Sequence, residues 1–357
     1  MFCIAAFIVF AVLALFSARH RPLAAKAWYC VWRRVTFRPC DIAFGDELKA
    51  RILAKVIVRW PKLVRPIDRS LDWLAFAFVA LSIWSLAAVA ASGLNLWVYD
   101  TCNPSSAESC SLSGEACGVQ QASLSLPDAL AQNRLGEWAA APIKGFAETL
   151  SRVPDRLKTW SPAEFFGPTA TFARAKDAAK PFALEIIDPS CQYCRKLTHN
   201  LESAGALESH NVSYLLYPIP LPGGGTKFPH SALMASYIEA AKIVPLSGSG
   251  GIGGDWRLLE AIFADAGSGA TVSMQERFVL GFTPAQAEAQ LQTLLADIGY
   301  SPVQVKRIAA LASSADVAHA LAEQRMIVEE KVRTIKIPTL LIDGRRYDRV
   351  VGENTLR

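Results

Sequence analysis

The chain has 357 residues, a formal net charge of +5, a mean hydropathy of +0.23 and 52% hydrophobic residues. This composition argues against an ordinary soluble enzyme and favours membrane-spanning segments. Residues 19–69 contain 13 Lys and Arg against four Asp and Glu, about +9, which leaves 5 less 9, or about −4, for the remainder. A basic segment between apolar ones indicates a cytoplasmic loop, with possible contact to anionic lipid, and no nucleic-acid site is expected.

Two apolar runs flank this basic segment. The first, Phe2–Phe16, has no charge but is short for a span, which needs about 20 residues. The second, Trp73–Val98, is long enough to cross a bilayer with some tilt. We therefore expect a first transmembrane helix, a cytoplasmic loop and a second transmembrane helix at residues 1–18, 19–71 and 72–99. Alternatively, the first run is a cleaved signal peptide and the chain after Tyr99 is cytoplasmic, which the charge distribution opposes.

The cysteines before the main domain divide by predicted compartment. Cys30 and Cys40 lie in the predicted cytoplasmic loop, where thiols stay reduced. Cys102, Cys110 and Cys117 follow the second span in an oxidising space, so one disulfide among them and one odd thiol are expected. This group is either a structural clasp near the membrane or a source of an auxiliary thiol that exchanges electrons with a main redox pair.

Residues 100–180 begin as a loop rich in Ser and Cys and continue as short amphipathic segments punctuated by prolines. We interpret them as a partly helical stalk, or alternatively as an irregular extension packed on the next domain. The apolar run Pro181–Ile187 that follows is typical of a buried strand. Asp188-Pro-Ser then supplies a turn and N-cap signal, and a helix is predicted to begin around Cys191.

The rest of the chain completes an α/β pattern over residues 181–357. Val212–Tyr217 is predicted to be a second strand, and residues 230–331 are mostly helical. Thr339–Asp343 and Arg346–Val351 are predicted to form a hairpin. Strand, helix and strand, then a helical block, then two strands, predict an α/β fold with a large helical insertion.

Cys191 and Cys194 have a spacing suited to thiol–disulfide exchange. At a helix N-terminus, unpaired N–H groups and the helix dipole favour a thiolate at Cys191, and thiolate is the attacking species. Cys194, one turn further on, can then attack the mixed disulfide and release the substrate. Zinc sites and structural disulfides use the same spacing, but zinc normally needs two further ligands, and no second Cys-x-x-Cys follows.

Ile337 and Pro338 lie directly before the predicted late strand. A cis peptide bond at this proline would expose backbone groups that can pair with a bound peptide in strand fashion. A trans proline at a strand entrance is the alternative interpretation. The sequence itself does not fix the isomer.

The sequence Asp188-Pro-Ser-Cys-Gln-Tyr-Cys-Arg-Lys-Leu197 resembles the active-site segment of the bacterial periplasmic disulfide isomerases of the DsbC/DsbG type. Tyr214–Pro222 and Ile337–Gly344 resemble the two regions that accompany this segment in that family. The resemblance implies a thioredoxin-like fold. The chain differs from soluble members in carrying two predicted spans and a stalk in place of a dimerisation domain.

The resemblance also implies site residues by position. The expected nucleophile and resolving thiol are Cys191 and Cys194. The expected substrate-binding residues are Ile337, Pro338, Gln192 and Tyr193. Gln192 stands where Gly or Pro is common, and the residues between the cysteines tune the reduction potential, so the direction of electron flow is open.

Together these features predict a thiol:disulfide oxidoreductase that needs no metal or organic cofactor. It would be held in the inner membrane by two spans, with its catalytic domain on the periplasmic side. Its expected partners are exported proteins with thiols or disulfides, a membrane redox partner that recycles the cysteine pair, and the lipid bilayer. The alternatives are a reductase dedicated to one client and a non-catalytic scaffold or assembly subunit of an envelope or secretion complex.

Overall fold

The structure is a computed structural model. It describes residues 2–36, 50, 54, 64–106, 114–120, 123–167, 169–246, 252–265 and 272–356. Two of the cysteines considered above, Cys40 and Cys110, lie outside the described residues. The chain divides into two compact units, Met1–Ala91 and Ser92–Arg357.

The first unit contains a pair of helices and most of a third. Helix α1 (Phe2–Phe16) and helix α2 (Arg21–Val35) are joined by a short 3-10 turn and pack against each other. The rings of Phe7 and Trp28 lie 5.2 Å apart across this pair. Helix α3 (Val64–Tyr99) begins in this unit and ends in the second.

Of the helices in the described residues, one is long and apolar enough to cross a membrane, the 27-residue stretch Trp73–Tyr99 of α3. Helix α1 has 15 residues, fewer than the about 20 that a span needs, so the first predicted span, at residues 1–18, is not confirmed. Cys30 is disulfide-bonded, which corrects the expectation of a reduced thiol.

The segment between α3 and the main sheet contains a short strand and two helices. Strand β1 (Cys117–Gly118) is followed by helix α4 (Leu126–Ala131) and helix α5 (Leu135–Leu157). Helix α5 continues through Pro142 and Pro154, where the sequence analysis placed interruptions.

Residues after α5 pack onto the main domain. The side chains of Trp160 and Phe165 are buried in its core. The backbone N–H of Trp160 donates to the carbonyl oxygen of Gly344 at 2.9 Å. These contacts fit an extension packed on the domain better than a free stalk.

The later strands, in chain order, are β2 (Phe182–Ile187), β3 (Asn211–Leu216), β4 (Lys336–Ile337), β5 (Thr339–Ile342) and β6 (Arg345–Tyr347). Four of them form one sheet in the order β3-β2-β5-β6, in which β2 and β3 are parallel and the other pairs are antiparallel. Strands β1 and β4 form a separate antiparallel ladder. The four strands of the main sheet begin within two residues of their predicted starts, since their buried apolar runs are short and end at turns. Strands β1 and β4 were not predicted from the sequence.

Helices α6 (Gln192–Ser203) and α7 (Ala206–Ser209) connect β2 to β3. The helical insertion between β3 and β4 contains α8 (Ser231–Ile243), α9 (Gly254–Phe263), α10 (Met274–Leu280), α11 (Pro284–Asp297), α12 (Pro302–Ala312), α13 (Ala315–Met326) and a π-helix (Ile327–Val332), and α14 (Glu353–Leu356) follows the sheet. Capping boxes at Ser273, Thr283 and Ser301 fix the starts of three insertion helices. The fold is thus α/β with a large helical insertion between β3 and β4, as predicted.

Candidate active site

Cys191 is the N-cap residue of helix α6 and lies directly after the turn that ends β2. Its backbone N–H donates to the carbonyl oxygen of Asp188 at 3.0 Å, and its own carbonyl oxygen accepts from the N–H of Cys194 at 3.0 Å. The side chains of Cys191 and Cys194 are both fully buried. The predicted helix start therefore places Cys191 beside the unpaired N–H groups of the first turn.

The carboxylate of Asp188 organises the turn before Cys191. It accepts hydrogen bonds from the N–H of Ser190 and the N–H of Ile219, both at 2.8 Å, and from the hydroxyl of Ser231 at 2.6 Å. Burial raises the pKa of this carboxyl, while the three donors act in the opposite direction. One buried side chain thus connects β2, the segment after β3 and the start of α8.

Cys194 has a thiol that is difficult to ionise. Burial raises its pKa well above the ordinary value, and the nearby carboxyls of Asp188 and Glu185 raise it further. The N–H of Asp188 opposes this by donating to the Cys194 sulfur at 3.4 Å. The thiol therefore needs a proton acceptor before it can attack a disulfide.

Glu185, on β2, is a buried acid next to this thiol that the sequence analysis did not identify. Burial raises its pKa from 4.5 to about 8, against the hydrogen bond that Thr198 donates to it. Its Oε1 atom has no hydrogen-bond partner within the described part of the chain. A carboxyl with this pKa can take up or release a proton near neutral pH. The only signal in the sequence was a single charge within an apolar run.

Strand β4 provides the edge that faces Cys191. The Ile337–Pro338 peptide bond is cis. The sulfur of Cys191 lies 3.9 Å from the carbonyl oxygen of Ile337. The structure therefore brings the predicted nucleophile and the predicted peptide-docking residues together, although they are 146 positions apart in sequence.

Cys191 is disulfide-bonded to Cys117, with a Cα–Cα distance of 6.8 Å. Cys194 is a free thiol. The sequence predicts a redox pair of Cys191 and Cys194 with Cys117 among the auxiliary thiols, so the observed bond joins an auxiliary thiol to the redox pair. Cys102 is disulfide-bonded as well. Cys110, the third member of the auxiliary group, lies outside the described residues.

Gln275, from helix α10 of the insertion, supports the active-site turn. Its Nε2 donates to the carbonyl oxygens of Pro189 at 2.8 Å and Cys191 at 3.1 Å, and its side chain is buried. The Cys191 carbonyl also accepts from the N–H of Cys194, whereas Gln275 is the one donor to the Pro189 carbonyl among the hydrogen bonds of the described residues. The insertion is therefore part of the site, and a lone Gln more than 80 positions downstream gave no signal for this.

An open groove of about 620 Å³ lies at the start of helix α6 and has Cys117 in its lining. Gln192 and Tyr193, the two predicted substrate-binding residues of α6, line one side of it. The groove is further lined by Gly114, Ala116, Cys117, Ser190, Lys227, Phe228, Gln275, Glu276, Val279 and Leu280. Within the described ranges, no group of three or more His, Cys, Asp or Glu is arranged to hold a metal ion.

No protein-family model matches the sequence, and no curated protein is significantly similar to it. Solved structures share parts of the fold. A thioredoxin-like oxidoreductase from Silicibacter pomeroyi is 16% identical, with a TM-score of 0.37 over 54% of this chain and 90% of that one. ScsC from Proteus mirabilis is 12% identical, with a TM-score of 0.37 over 64% and 92%. The thiol-disulfide exchange protein α-DsbA2 from Wolbachia pipientis is 13% identical, with a TM-score of 0.39 over 54% and 87%. At these values the comparisons carry no argument about function, which rests on the site.

Proposed function

We propose that this protein is a membrane-anchored thiol:disulfide oxidoreductase that acts on exported proteins through Cys191 and Cys194. One observation carries the proposal. Cys191 is disulfide-bonded to a cysteine on a strand paired with β4, while the free thiol of Cys194 lies one helical turn behind it. This arrangement is the one expected of a mixed disulfide that has a free resolving thiol next to it.

The first step is docking and attack. A client segment pairs its backbone with the edge of β4, which brings a client disulfide against Cys191. The N–H groups at the start of α6 stabilise the Cys191 thiolate. That thiolate attacks one client sulfur, the client disulfide breaks, and a mixed disulfide forms while the other client sulfur leaves as a thiolate.

The second step is resolution by Cys194. The Glu185 carboxylate accepts the proton of the buried Cys194 thiol, whose pKa burial raises. The Cys194 thiolate then attacks the Cys191 sulfur, and the client leaves reduced as Cys191 and Cys194 become a disulfide. The reverse sequence oxidises a client dithiol, so the same residues serve as a reductase, an isomerase or an oxidase according to their potential.

The helix Trp73–Tyr99 supports anchoring, since it can span a bilayer by length and composition. We place the catalytic domain on the periplasmic side of the inner membrane, where exported proteins form their disulfides. A membrane-embedded redox partner would recycle the cysteine pair. No organic cofactor is required by this chemistry.

The reduction potential of Cys191–Cys194 tests the proposal. We would equilibrate the detergent-solubilised full chain with glutathione and quantify each thiol by differential alkylation. A reduction potential of ~−120 mV identifies a disulfide donor, and one of ~−200 mV or below identifies an isomerase or reductase. A pair that never exchanges with glutathione would contradict the proposal.

A non-catalytic scaffold is the second candidate function. The specific observation in its favour is that Cys191 is fully buried and bonded to Cys117, as is expected of a cysteine in a structural disulfide. In that case the Cys117–Cys191 bond would resist glutathione in the folded protein. The same titration therefore separates the two functions.

A further inference from the structure

The strand that carries Cys117 occupies the edge that a client peptide needs. In the β1–β4 ladder, Cys117 lies opposite Ile337 and Gly118 lies opposite Lys336, in antiparallel register. The ladder extends by one hydrogen bond, in which the N–H of Val119 donates to the carbonyl oxygen of Ile335 at 2.8 Å. An extended peptide bound by strand addition would use the same backbone groups.

Side chains and backbone groups on both sides hold this strand. Lys196, on α6, forms an ion pair with Glu115 at 2.6 Å. The ammonium of Lys227 donates to the carbonyl oxygen of Gly118 at 3.0 Å. The N–H of Val350 donates to the carbonyl oxygen of Glu115 at 3.1 Å. The segment 114–120 is thus seated along the active site by contacts from α6, from the segment before α8 and from the end of the sheet.

The position of Cys117 in this strand matches what the site requires of a client. Its sulfur is bonded to Cys191, its backbone is paired with the docking edge, and it is almost fully buried, with 4% exposure. Small residues, Ala116 and Gly118, flank it and let the strand lie close to the helix start. A client cysteine cannot reach Cys191 while this segment is in place.

Building on the proposed function, we propose that Cys117 is a third redox-active cysteine and that residues 114–120 are a built-in substrate strand. The Cys117–Cys191 bond is an internal mixed disulfide that covers the nucleophile until Cys194 resolves it. Clients then compete with this strand for the edge of β4. A client segment that resembles it would be extended, with small residues on both sides of its cysteine.

The exchange balances without an external oxidant or reductant. Cys194 loses its proton and its thiolate attacks the Cys191 sulfur. The bond between Cys117 and Cys191 breaks, a bond between Cys191 and Cys194 forms, and Cys117 leaves as a thiolate that takes up a proton. One disulfide and one thiol are present before and after the step, so the reaction is an internal isomerisation.

The first experiment maps disulfides in the oxidised full chain by alkylation and peptide mass spectrometry, with and without catalytic reduced glutathione. We expect Cys117–Cys191 and Cys191–Cys194 to interconvert in the wild-type chain. In Cys194→Ser we expect the Cys117–Cys191 bond to persist, since the resolving thiol is absent. A wild-type chain that never forms the Cys117–Cys191 bond, or one in which that bond never converts, would overturn the proposal.

The second experiment mixes the oxidised chain with a cysteine peptide in its thiol form, at about 0.1 mM, and measures formation of the mixed disulfide with Cys191. The peptide thiolate attacks the Cys191 sulfur and displaces Cys117 in the wild-type chain, or Cys194 in Cys117→Ser, as a thiolate. A tethered segment has an effective concentration in the mM range. We therefore expect Cys117→Ser to react at least ~10-fold faster than the wild-type chain. An unchanged rate would show that residues 114–120 do not compete with clients.

Val119→Pro, compared with Val119→Ala, tests the strand without removing a cysteine. Proline removes the N–H that donates to Ile335 but leaves Cys117 in place. Loss of one hydrogen bond should shift the isomerisation toward Cys191–Cys194 by up to ~10-fold in Val119→Pro only. An equal ratio of the Cys191–Cys194 to the Cys117–Cys191 disulfide in both variants would contradict the proposal of a built-in substrate strand.

The Cys117→Ser variant separates this inference from the proposed function. If its Cys191–Cys194 pair fails to exchange with glutathione, the proposed function is wrong. If the pair exchanges normally, the proposed function stands and the experiments above test the role of residues 114–120 alone.

Discussion

Thr198 donates a 3.0 Å hydrogen bond to Oε2 of Glu185, a carboxyl group fully buried between the sheet and helix α6. No other side chain in the described ranges bonds to this carboxyl, and its Oε1 has no partner there. The buried carboxyl is therefore far easier to protonate in the folded chain than in the unfolded chain, and its pKa rises from 4.5 to about 8. This relationship leads to two predictions, one for the free energy of unfolding and one for the rate at which Cys194 resolves the mixed disulfide.

Glu185 should make the folded chain less stable as pH rises from about 4.5 to about 8. In that window the folded protein holds a proton that the unfolded chain has lost, so unfolding is favoured by up to ~1.4 kcal/mol per pH unit. Glu185→Gln stays neutral and should lose this slope. Denaturant unfolding of the oxidised chain at several pH values measures the difference. Glu330→Gln, at an exposed carboxyl, is the control and should keep the wild-type slope.

Glu185→Gln should also slow the resolution step. Without the carboxylate, the Cys194 thiol loses its proposed proton acceptor, because the nearby Asp188 carboxylate is already held by three hydrogen-bond donors. The loss of a general base costs roughly 100-fold or more. Stopped-flow measurement of Cys191–Cys194 disulfide formation, from a preformed mixed disulfide with a peptide, gives the rate. In the wild-type chain this rate should rise with pH up to about 8. A variant that keeps both the rate and the pH profile would exclude Glu185 as the acceptor.

The strands and the active-site helix could be predicted because their signals are local. An apolar run between turn residues predicts β2, and the sequence Asp188-Pro-Ser places the start of α6 within one residue. The Ile337–Pro338 docking edge was predictable only through the family resemblance, since no local signal joins it to Cys191. Local periodicity and turn residues therefore predict where the strands and helices lie along the chain. The family resemblance predicts that the Ile337–Pro338 segment lies next to Cys191.

The parts that were not predicted depend on long-range packing. Spacing favoured a bond between Cys191 and Cys194, whereas the structure joins Cys191 to Cys117 across 74 residues. Glu185 is the one charged residue in the otherwise apolar strand β2, and nothing in the sequence indicates that its side chain is buried. Gln275 is one of many polar residues in a helical region. Such roles arise from the tertiary fold and leave no periodic pattern.

Gln275→Ala should destabilise the active-site turn. Its Nε2 donates to the carbonyl oxygens of Pro189 and Cys191, and the truncation leaves the buried Pro189 carbonyl without its donor, while the Cys191 carbonyl keeps the N–H of Cys194. We expect a loss of ~1–3 kcal/mol in the free energy of unfolding. Denaturant unfolding measures this loss, and alkylation of Cys191 after reduction measures the disturbance of the nucleophile. Gln290→Ala, at a half-buried glutamine of α11, should change stability by less than ~0.5 kcal/mol.

Leu280→Ser should change which clients react without changing the chemistry of the cysteines. Leu280 ends α10, is 83% exposed and lines the groove with Tyr193 and Phe228. An apolar client side chain that covers it gains about 1.5 kcal/mol from burial. We therefore expect KM for a cysteine peptide with a bulky apolar residue next to its cysteine to rise by ~10-fold.

The matched control for Leu280→Ser is Val303→Ser, which removes an equally exposed apolar side chain (78% exposed) from α12. The control should leave KM unchanged for every peptide. A peptide with serine in place of the bulky residue should have the same KM with wild-type and Leu280→Ser chains, because nothing then covers Leu280. The reduction potential of the cysteine pair should also be the same in all three chains, since this residue contacts the client and not the sulfurs. Equal KM values for the apolar peptide with wild-type and Leu280→Ser would show that α10 does not take part in client selection.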